Sequence, residues 1–265
     1  MKYGYVNTNL LDLWDRPKFN SERLSQLFFG ETVTVTGNRK GYLKIRQTDG
    51  YTGWVDERFV VPVLKKETDS YLRQINSIVS ANTAVLYGPV GNKTTAPFFL
   101  YYGTRLVVQR KKNGYVRAVL PDKRAVFLKS LNVRPINKKM DGKIKGTQLV
   151  REASKFLGVP YLWGGVTPAG FDCSGLVRTV CSRFGIVLPR DTKDQVKAGV
   201  KIERTEIKTG DLLFFDRHVG FAVGPDKIIH CSVGGGGVRI NSLQAGQPDY
   251  REDLDRNYNQ ARRII

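Results

Sequence analysis

The stretch Phe171-Asp172-Cys173-Ser174-Gly175-Leu176-Val177 places a cysteine where a helix is expected to begin. From Leu176 to Phe184 the apolar residues recur at helical spacing. Asp172 precedes this run and can cap the helix, which puts Cys173 in the first turn. Unpaired backbone amides at a helix start favour an anion, so we expect them to lower the pKa of the thiol and to offer the Cys173 N–H to an oxyanion. These features predict a reactive thiol.

The chain has only two histidines, and both follow this cysteine in predicted strands. His218 precedes the apolar run 219–223, and His230 lies in the return strand 227–233 beyond a Gly-Pro-Asp turn. A thiol nucleophile needs a base that takes its proton, and the base needs a third group that holds its ring. A hairpin of this length brings the two histidines close together. The sequence therefore predicts a cysteine hydrolase.

The other two cysteines are expected to be structural. Three cysteines give neither an even-numbered disulfide framework nor a CxxC zinc pair. Cys181 falls on the apolar face of the predicted helix, and Cys231 points to the opposite face of its strand from His230. A metal site built from Cys173, His218 and His230 is the alternative, but it lacks an acidic ligand. We therefore expect neither a metal nor a cofactor.

Residues 146–265 resemble the catalytic domain of the NlpC-type cell-wall cysteine peptidases, which share a papain-like core. The resemblance rests on the order and spacing of six motifs: Pro160-Tyr161-Leu162-Trp163-Gly164-Gly165, Asp172-Cys173-Ser174-Gly175, Leu188-Pro189-Arg190-Asp191-Thr192, Gly210-Asp211-Leu212, His218-Val219-Gly220 and His230. It implies Cys173 as the nucleophile, His218 as general base and acid, and His230 as the orienting third member. It also implies that the Tyr161 hydroxyl assists the oxyanion hole. Thr192 stands where many relatives have serine and keeps the hydroxyl.

The first half of the chain repeats itself. Leu27-Phe28-Phe29-Gly30 recurs as Leu100-Tyr101-Tyr102-Gly103, and Trp54 recurs at the same offset as Phe127. Alternating strand patterns at 32–36 and 105–108 predict two copies of a small all-β unit. The segment 49–55, with the sequence DGYTGWV, resembles a bacterial SH3-like wall-associated domain, whereas the second copy has lost the Gly-Trp signature.

The expected fold class is multidomain, with two small all-β SH3-like barrels followed by an α+β papain-like cysteine peptidase domain. The predicted domains are 1–64, 72–136 and 141–265. The charged segment Lys65-Lys66-Glu67-Thr68-Asp69-Ser70 is interpreted as a linker, and a second boundary is expected near Asn137-Lys138-Lys139.

Composition limits the partners. The chain has 43 Lys and Arg against 24 Asp and Glu, a net charge of +19. These cations are spread over all three predicted domains without a nucleic-acid motif, so we expect no nucleic-acid partner. The charge is either a solvated basic surface or an attraction to the acidic peptides of murein.

No apolar run approaches the length of a membrane span. The chain passes from Met1 directly into strand-like sequence without an apolar signal segment. A cytoplasmic location is therefore expected if the chain is full length, and a cell-wall or extracellular location if a leader has been removed.

Three functions are compatible with these features. The first is a γ-D-glutamyl-L-diamino-acid endopeptidase that trims small peptides released from murein. The second is a peptidase of intact murein that the SH3-like domains tether to the wall. The third is a non-catalytic wall-binding protein with a decayed peptidase domain, which the complete set of Cys173, His218 and His230 argues against.

The paired SH3-like domains and the segment 21–26 resemble the recycling-type enzymes of this family. In those enzymes the first SH3-like domain contributes to a pocket for a free N-terminal L-Ala. The resemblance implies a set of substrate-binding residues: Glu22 and Tyr51 from that domain, and Asp172, Ser174, Asp191 and Thr192 from the peptidase domain. The expected partners are murein peptides of the type L-Ala-γ-D-Glu-diamino acid.

Overall fold

The computed structural model describes residues 2–88, 99–121, 123–136 and 144–265. The chain divides into two units, Met1–Ile136 and Asn137–Ile265. The predicted boundary near Asn137-Lys138-Lys139 lies outside the described residues.

The first unit opens with a seven-stranded antiparallel sheet. Its strands lie in the order β3-β2-β6-β5-β4-β1-β7. A short 3-10 helix, Glu57–Phe59, precedes the last strand. The bounds are β1 Tyr3–Val6, β2 Leu10–Trp14, β3 Arg23–Phe28, β4 Thr32–Arg39, β5 Tyr42–Arg46, β6 Thr52–Asp56 and β7 Val60–Pro62.

The second half of this unit begins with a helix and continues with seven strands. The helix is α1 (Lys65–Gln74), and a 3-10 helix, Ser130–Asn132, precedes the last strand. The strands are β8 Ser77–Val79, β9 Thr83–Val85, β10 Phe99–Tyr101, β11 Arg105–Lys112, β12 Tyr115–Val119, β13 Ala125–Lys129 and β14 Val133–Pro135.

The two halves repeat one fold strand by strand. Strands β11, β12, β13 and β14 correspond to β4, β5, β6 and β7. Each begins and ends at a position shifted along the chain by the same number of residues as Leu100 is from Leu27. The sheet order β13-β12-β11-β8-β14 reproduces the order β6-β5-β4-β1-β7 of the first copy. Trp14 pairs with Trp54 in the first copy, and Tyr87 pairs with Phe127 at the equivalent positions of the second. The internal repeat seen in the sequence therefore extends to the ends of the strands.

Charge distinguishes the two copies. Residues 72–136 contain eleven Lys and Arg, and Asp122 is their only acidic residue. In the first copy cations are paired with acids, as Arg23 is with Asp12 at 2.8 Å. Residues 72–136 therefore carry +10 of the net charge of +19, because acidic residues are nearly absent from the second repeat.

The segment interpreted as a linker is a helix that lies between the two repeats in the chain, and its role as a domain boundary stays a prediction. Residues 65–70 form the first part of α1. The Glu67 carboxylate accepts from the Leu64 N–H at 3.0 Å, and Lys65 pairs with Asp69 one turn on at 2.7 Å. Tyr71 is buried against the unit. These contacts stabilise a helix in a sequence whose charged composition alone resembles a linker.

The second unit packs helices against one antiparallel sheet. The sheet order is β17-β22-β18-β19-β20-β21, and helix α3 packs against β19 and β20. A 3-10 helix, Arg204–Glu206, follows β17. The helices are α2 Gly146–Ser154, α3 Cys173–Arg183, α4 Thr192–Gln195 and α5 Glu252–Arg256. The strands are β15 Val166–Thr167, β16 Gly170–Phe171, β17 Val200–Ile202, β18 Leu212–Phe215, β19 His218–Gly224, β20 Lys227–Ser232, β21 Gly237–Ser242 and β22 Tyr258–Arg263.

This architecture confirms the predicted fold class, a β-rich SH3-like region followed by an α+β domain. Leu176, Val177 and Val180 of α3 are fully buried, as their helical spacing predicts. No helix in the described part of the chain is long and apolar enough to cross a membrane.

Candidate active site

Helix α3 begins at Cys173, and Asp172 is its N-cap. The Asp172 carboxylate accepts from the Gly175 N–H at 2.6 Å, which is the cap that the sequence predicts. Position 175 has no room for a side chain, because an added Cβ would overlap the carbonyl oxygen of Gly165. Cys173 is 8% exposed. The nucleophile candidate therefore occupies a tightly fixed first turn.

A buried network holds this helix start. Asp172 also accepts from the Gly164 N–H at 2.9 Å and from the Ser174 hydroxyl at 3.1 Å. The Arg190 guanidinium donates to both Asp172 oxygens and to Ser174 Oγ. Asp172 and Ser174 thus use their side chains to order the protein itself, and their role in substrate binding stays a prediction. Sequence reasoning gave no role to Arg190, although it lies inside a matched motif.

The two histidines meet across the β19–β20 hairpin. His218 Nε2 lies 2.7 Å from His230 Nδ1, and the two rings are nearly perpendicular. The strands pair through Phe221 and Ile229. Gly220 permits this approach, since a Cβ there would lie 2.8 Å from His230 Cβ. The structure therefore brings the two histidines together, as the predicted hairpin implies.

The thiol lies beside the start of the strand that carries His218. Cys173 Sγ is 4.0 Å from the Arg217 carbonyl oxygen and 3.8 Å from Thr192 Oγ1. His218 Nε2 is already engaged by His230, so Nδ1 is the ring nitrogen left to accept a proton. The structure thus joins His218 to His230 and places Cys173 against Arg217, the residue before His218, and the roles of nucleophile, base and orienting residue stay predictions.

Burial decides the protonation of this group. It raises the pKa of the Cys173 thiol, and the Asp172 charge raises it further, whereas the Thr192 hydroxyl and backbone N–H groups lower it. The expectation that the helix start lowers this pKa overall is wrong, because desolvation of the thiolate outweighs the favourable amides. Burial, His230 and Arg251 lower the pKa of His218 to about 3. At neutral pH the pair is therefore a thiol beside a neutral imidazole.

Tyr161 and Thr192 also lie at the thiol. Burial raises the pKa of Tyr161, and the nearby Cys173 and Asp172 raise it further, so the hydroxyl stays protonated and able to donate. Thr192 is the first residue of α4, and Asp191 precedes it as the N-cap residue. Their positions suit the predicted roles, which stay predictions.

Glu22 and Tyr51 belong to the first unit. Glu22 is exposed immediately before β3, and Tyr51 packs partly against the apolar core of the first repeat immediately before β6. Arg124 stands at the position of Tyr51 in the second repeat. The part of Glu22 and Tyr51 in a substrate pocket stays a prediction.

The remaining cysteines are buried. Cys181 lies in α3 with its pKa raised by burial. Cys231 donates to the Phe171 carbonyl at 3.0 Å, and burial raises its pKa to about 12. Among the residues that the structure describes, no group of three or more His, Cys, Asp or Glu side chains could hold a metal ion.

Asn241 contacts the far side of the histidine pair and was missed by sequence reasoning. Its Oδ1 lies 3.0 Å from His230 Nε2. Asn241 is on β21, opposite Ile228 of β20, and therefore on the same sheet face as His230. The alternation of residues 237–242 after a glycine-rich turn was the available signal, but a strand pattern alone does not give its register.

Two sequence-family profiles match parts of this chain. The NlpC/P60 family profile matches residues 158–254, which include Cys173, His218 and His230. The profile of the bacterial dipeptidyl-peptidase Sh3 domain matches residues 13–58, which lie in the first repeat.

Individual relatives extend over both units. The γ-D-glutamyl-L-lysine dipeptidyl-peptidase of Bacillus subtilis (strain 168) is 31% identical, and the match covers 83% of this chain and 75% of the relative. A protein of the same name from Bacillus cereus (strain ATCC 10987 / NRS 248) is 28% identical over 97% of this chain and 83% of its own. The crystal structure of an NlpC/P60 family protein from Bacillus cereus ATCC 10987 has the same fold, with a TM-score of 0.84, 24% identity and 99% coverage of both chains. On the strength of these matches, the chain belongs to the NlpC/P60 family of cell-wall cysteine peptidases.

Proposed function

We propose that this peptidase hydrolyses the γ-D-Glu–L-diamino acid bond of murein-derived peptides that carry a free N-terminal L-Ala. One observation carries the proposal. Relatives named γ-D-glutamyl-L-lysine dipeptidyl-peptidase match the SH3-like repeats and the peptidase unit together. The murein DD-endopeptidase MepS of Escherichia coli (strain K12), in contrast, matches only 58% of the chain. The SH3-like part therefore associates this chain with the dipeptidyl-peptidases.

The chemistry begins at the neutral pair. As Cys173 Sγ attacks the carbonyl carbon of D-Glu, His218 Nδ1 takes the thiol proton, and His230 stabilises the imidazolium through Nδ1. His218 then gives this proton to the leaving amine of the diamino acid. A water molecule, activated in turn by His218, hydrolyses the thioester and frees the dipeptide.

The tetrahedral oxyanion requires donors that are already in place. The Cys173 backbone N–H, in the first turn of α3, has no intrahelical partner and supplies one. The protonated Tyr161 hydroxyl supplies the second. Because the Asp172 cap and Arg190 fix this helix start, the donors need little reorganisation during the reaction.

Recognition of the free amine is assigned to acidic side chains. Asp191 is assigned to the ammonium because it directly precedes Thr192, whose hydroxyl lies 3.8 Å from Cys173 Sγ. Glu22 and Tyr51 complete the proposed ammonium site from the first SH3-like repeat. A desolvated ammonium requires such partners, and a substrate whose alanine is amide-linked to the sugar lactyl group lacks the charge.

Product analysis tests the proposal. The enzyme is incubated with L-Ala-γ-D-Glu-L-Lys, with its diaminopimelate analogue and with whole murein sacculi, and the products are identified by mass. We expect L-Ala-γ-D-Glu and the free diamino acid from the peptides and no release from sacculi. Equal cleavage of sacculi would favour the wall-remodelling function. If none of the three substrates is cleaved although Cys173 can be alkylated, the proposal fails and the non-catalytic wall-binding function becomes the candidate to test.

A further inference from the structure

Asn241 connects the histidine pair to the backbone. Its Oδ1 faces His230 Nε2 at 3.0 Å, and its Nδ2 donates to the Asp249 carbonyl at 3.0 Å. The same carbonyl accepts from the Ser242 N–H at 3.0 Å, and Ser242 in turn accepts from the Arg251 N–H at 2.9 Å. The segment after β21 thus folds back and presents a fixed acceptor to Asn241.

This acceptor fixes the orientation of the amide. A carbonyl oxygen cannot donate, so the NH₂ group of Asn241 must face Asp249 and the amide oxygen must face His230. An amide oxygen can only accept. His230 Nε2 therefore carries a hydrogen.

The hydrogen on His230 Nε2 determines where both rings carry their remaining hydrogen and lone pair. A neutral imidazole has one N–H, so Nδ1 of His230 is an acceptor. It lies 2.7 Å from His218 Nε2, which must therefore carry the hydrogen of that ring. The lone pair of His218 is left on Nδ1, the nitrogen available to the thiol. The same arrangement suits the imidazolium that forms when the thiol proton arrives.

We propose that Asn241 is a positioning residue that sets the tautomers of both histidines and so leaves His218 able to act as a base. The proposal rests on the role of His218 in the proposed function. It assigns to Asn241 a role that acts entirely through His230.

Loss of the amide oxygen makes a competing arrangement accessible. With the hydrogen of His230 on Nδ1, that N–H points at His218 and requires a lone pair on its Nε2. The hydrogen of His218 then moves to Nδ1 and faces the thiol, where the ring can no longer accept a proton. A wrong tautomer in a catalytic histidine costs up to about 10⁴-fold in serine proteases.

A neutral acceptor also suits the charges near the pair. Burial lowers the pKa of both histidines and Arg251 lowers it further, whereas Asp253 acts in the opposite direction and the hydrogen bond that His230 donates to Asn241 raises the pKa of His230. A carboxylate at position 241 would favour protonation of His230. In the resulting cation His230 Nδ1 would carry a hydrogen, so it could no longer accept the hydrogen bond from His218 Nε2.

The two histidines make the tautomers directly measurable. In protein labelled with ¹⁵N in the histidine rings, NMR shows signals from four ring nitrogens. The two signals that are missing from the His230→Asn variant belong to His230, and the other two belong to His218. For the wild type at neutral pH without substrate, we expect a protonated Nε2 and an unprotonated Nδ1 in both rings. A His230 ring protonated at Nδ1 would overturn the proposal without any further variant.

Two substitutions then test the consequence. Asn241→Leu should mix the His230 tautomers and lower kcat on L-Ala-γ-D-Glu-L-Lys by about 10-fold or more, with little change in KM. Asn241→Asp should keep the Nε2–H tautomer but move the acidic limb of the activity–pH profile to higher pH. Asn76→Ala is the control, because Asn76 makes a similar amide-to-carbonyl bond, to Val108 at 2.8 Å, in the first unit.

If the folded Asn241→Leu variant shows the same histidine tautomers as the wild type and an unchanged kcat, Asn241 is not a positioning residue. If the Leu variant does not fold, an Asn241→Asp profile that superimposes on the wild type overturns it instead. The NMR measurement needs no substrate. It therefore tests the role of Asn241 even if the proposed peptide turns out not to be cleaved.

Discussion

The Arg190 guanidinium holds both carboxylate oxygens of Asp172, with Nη1 at 3.1 Å from Oδ1 and Nη2 at 2.5 Å from Oδ2. Both residues are buried, and Asp172 caps the helix that begins at the nucleophile. The ion pair thus gives the buried Asp172 carboxylate a cationic partner, although the Asp172 charge still raises the pKa of Cys173.

Arg190→Gln should be strongly destabilising, because it leaves the buried Asp172 carboxylate without its cation. We expect a loss of about 3–5 kcal/mol in the free energy of unfolding of the peptidase unit, measured by denaturant unfolding. The control is Arg256→Gln in the same unit, which removes the exposed partner of Glu252 and should change the free energy of unfolding little. Equal effects of the two substitutions would contradict a structural role for the buried pair.

Cys173→Ser should fold normally and lose activity, since an alcohol is a far weaker acid than a thiol and a poorer nucleophile. Cys181→Ala and Cys231→Ala should keep turnover within a few-fold when folded, because both thiols are buried structural groups. Peptide mapping after alkylation with iodoacetamide identifies the reactive residue. Inactivation through modification of Cys231 with Cys173 intact would refute the assignment.

The histidines should contribute unequally. His218→Ala removes the proton acceptor and should lower kcat by about 10³-fold or more. His230→Ala should cost less, and His230→Asn should retain part of the activity as a neutral acceptor. Steady-state kinetics on the tripeptide measure both. Complete loss in both variants together with bound zinc in the wild type would favour a metal site.

Stability should fall as the pH falls below about 6.5. The folded-state pKa of His218 is lowered to about 3, and that of His230 is also lowered. Below the unfolded value of about 6.5 the unfolded chain therefore binds more protons than the folded one. Each histidine should reduce the free energy of unfolding by up to about 1.4 kcal/mol per pH unit between roughly pH 6 and 5.

Denaturant unfolding at several pH values measures this slope, and His230→Asn should reduce it because one of the two histidines is removed. A free energy of unfolding that stays constant over this window would show that the two rings are protonated in the folded protein. The window lies above the range in which carboxylates take up protons, so the histidines account for the change.

Much of the fold could be read from local patterns. The recurrence of Leu27-Phe28-Phe29-Gly30 at residues 100–103 predicted the duplicated SH3-like fold, because a repeated strand-and-turn pattern requires a repeated sheet. Asp172 before an apolar helical run predicted the cap and the position of Cys173. The hairpin between His218 and His230 followed from turn chemistry.

The rest depended on contacts between distant segments. Asn241 reaches His230 only because β21 pairs with β20 in one particular register and the chain folds back at Asp249. Arg190 lies 18 residues from Asp172 in the sequence, and the residues next to Arg190 in the chain do not indicate that its side chain is buried. The raised pKa of Cys173 reflects burial by the whole domain, whereas the sequence shows only the favourable helix start.

The central claim is recognition of a free N-terminal alanine, and kcat/KM for L-Ala-γ-D-Glu-L-Lys against its N-acetylated form tests it most directly. Acetylation removes the ammonium assigned to Asp191 and Glu22. We predict a loss of about 10²-fold or more. Glu22→Gln and Tyr51→Phe should lower the rate on the free peptide without changing alkylation of Cys173, whereas Glu57→Gln, in the same repeat, should change neither. Cleavage of the acetylated peptide as fast as the free one would contradict the claim.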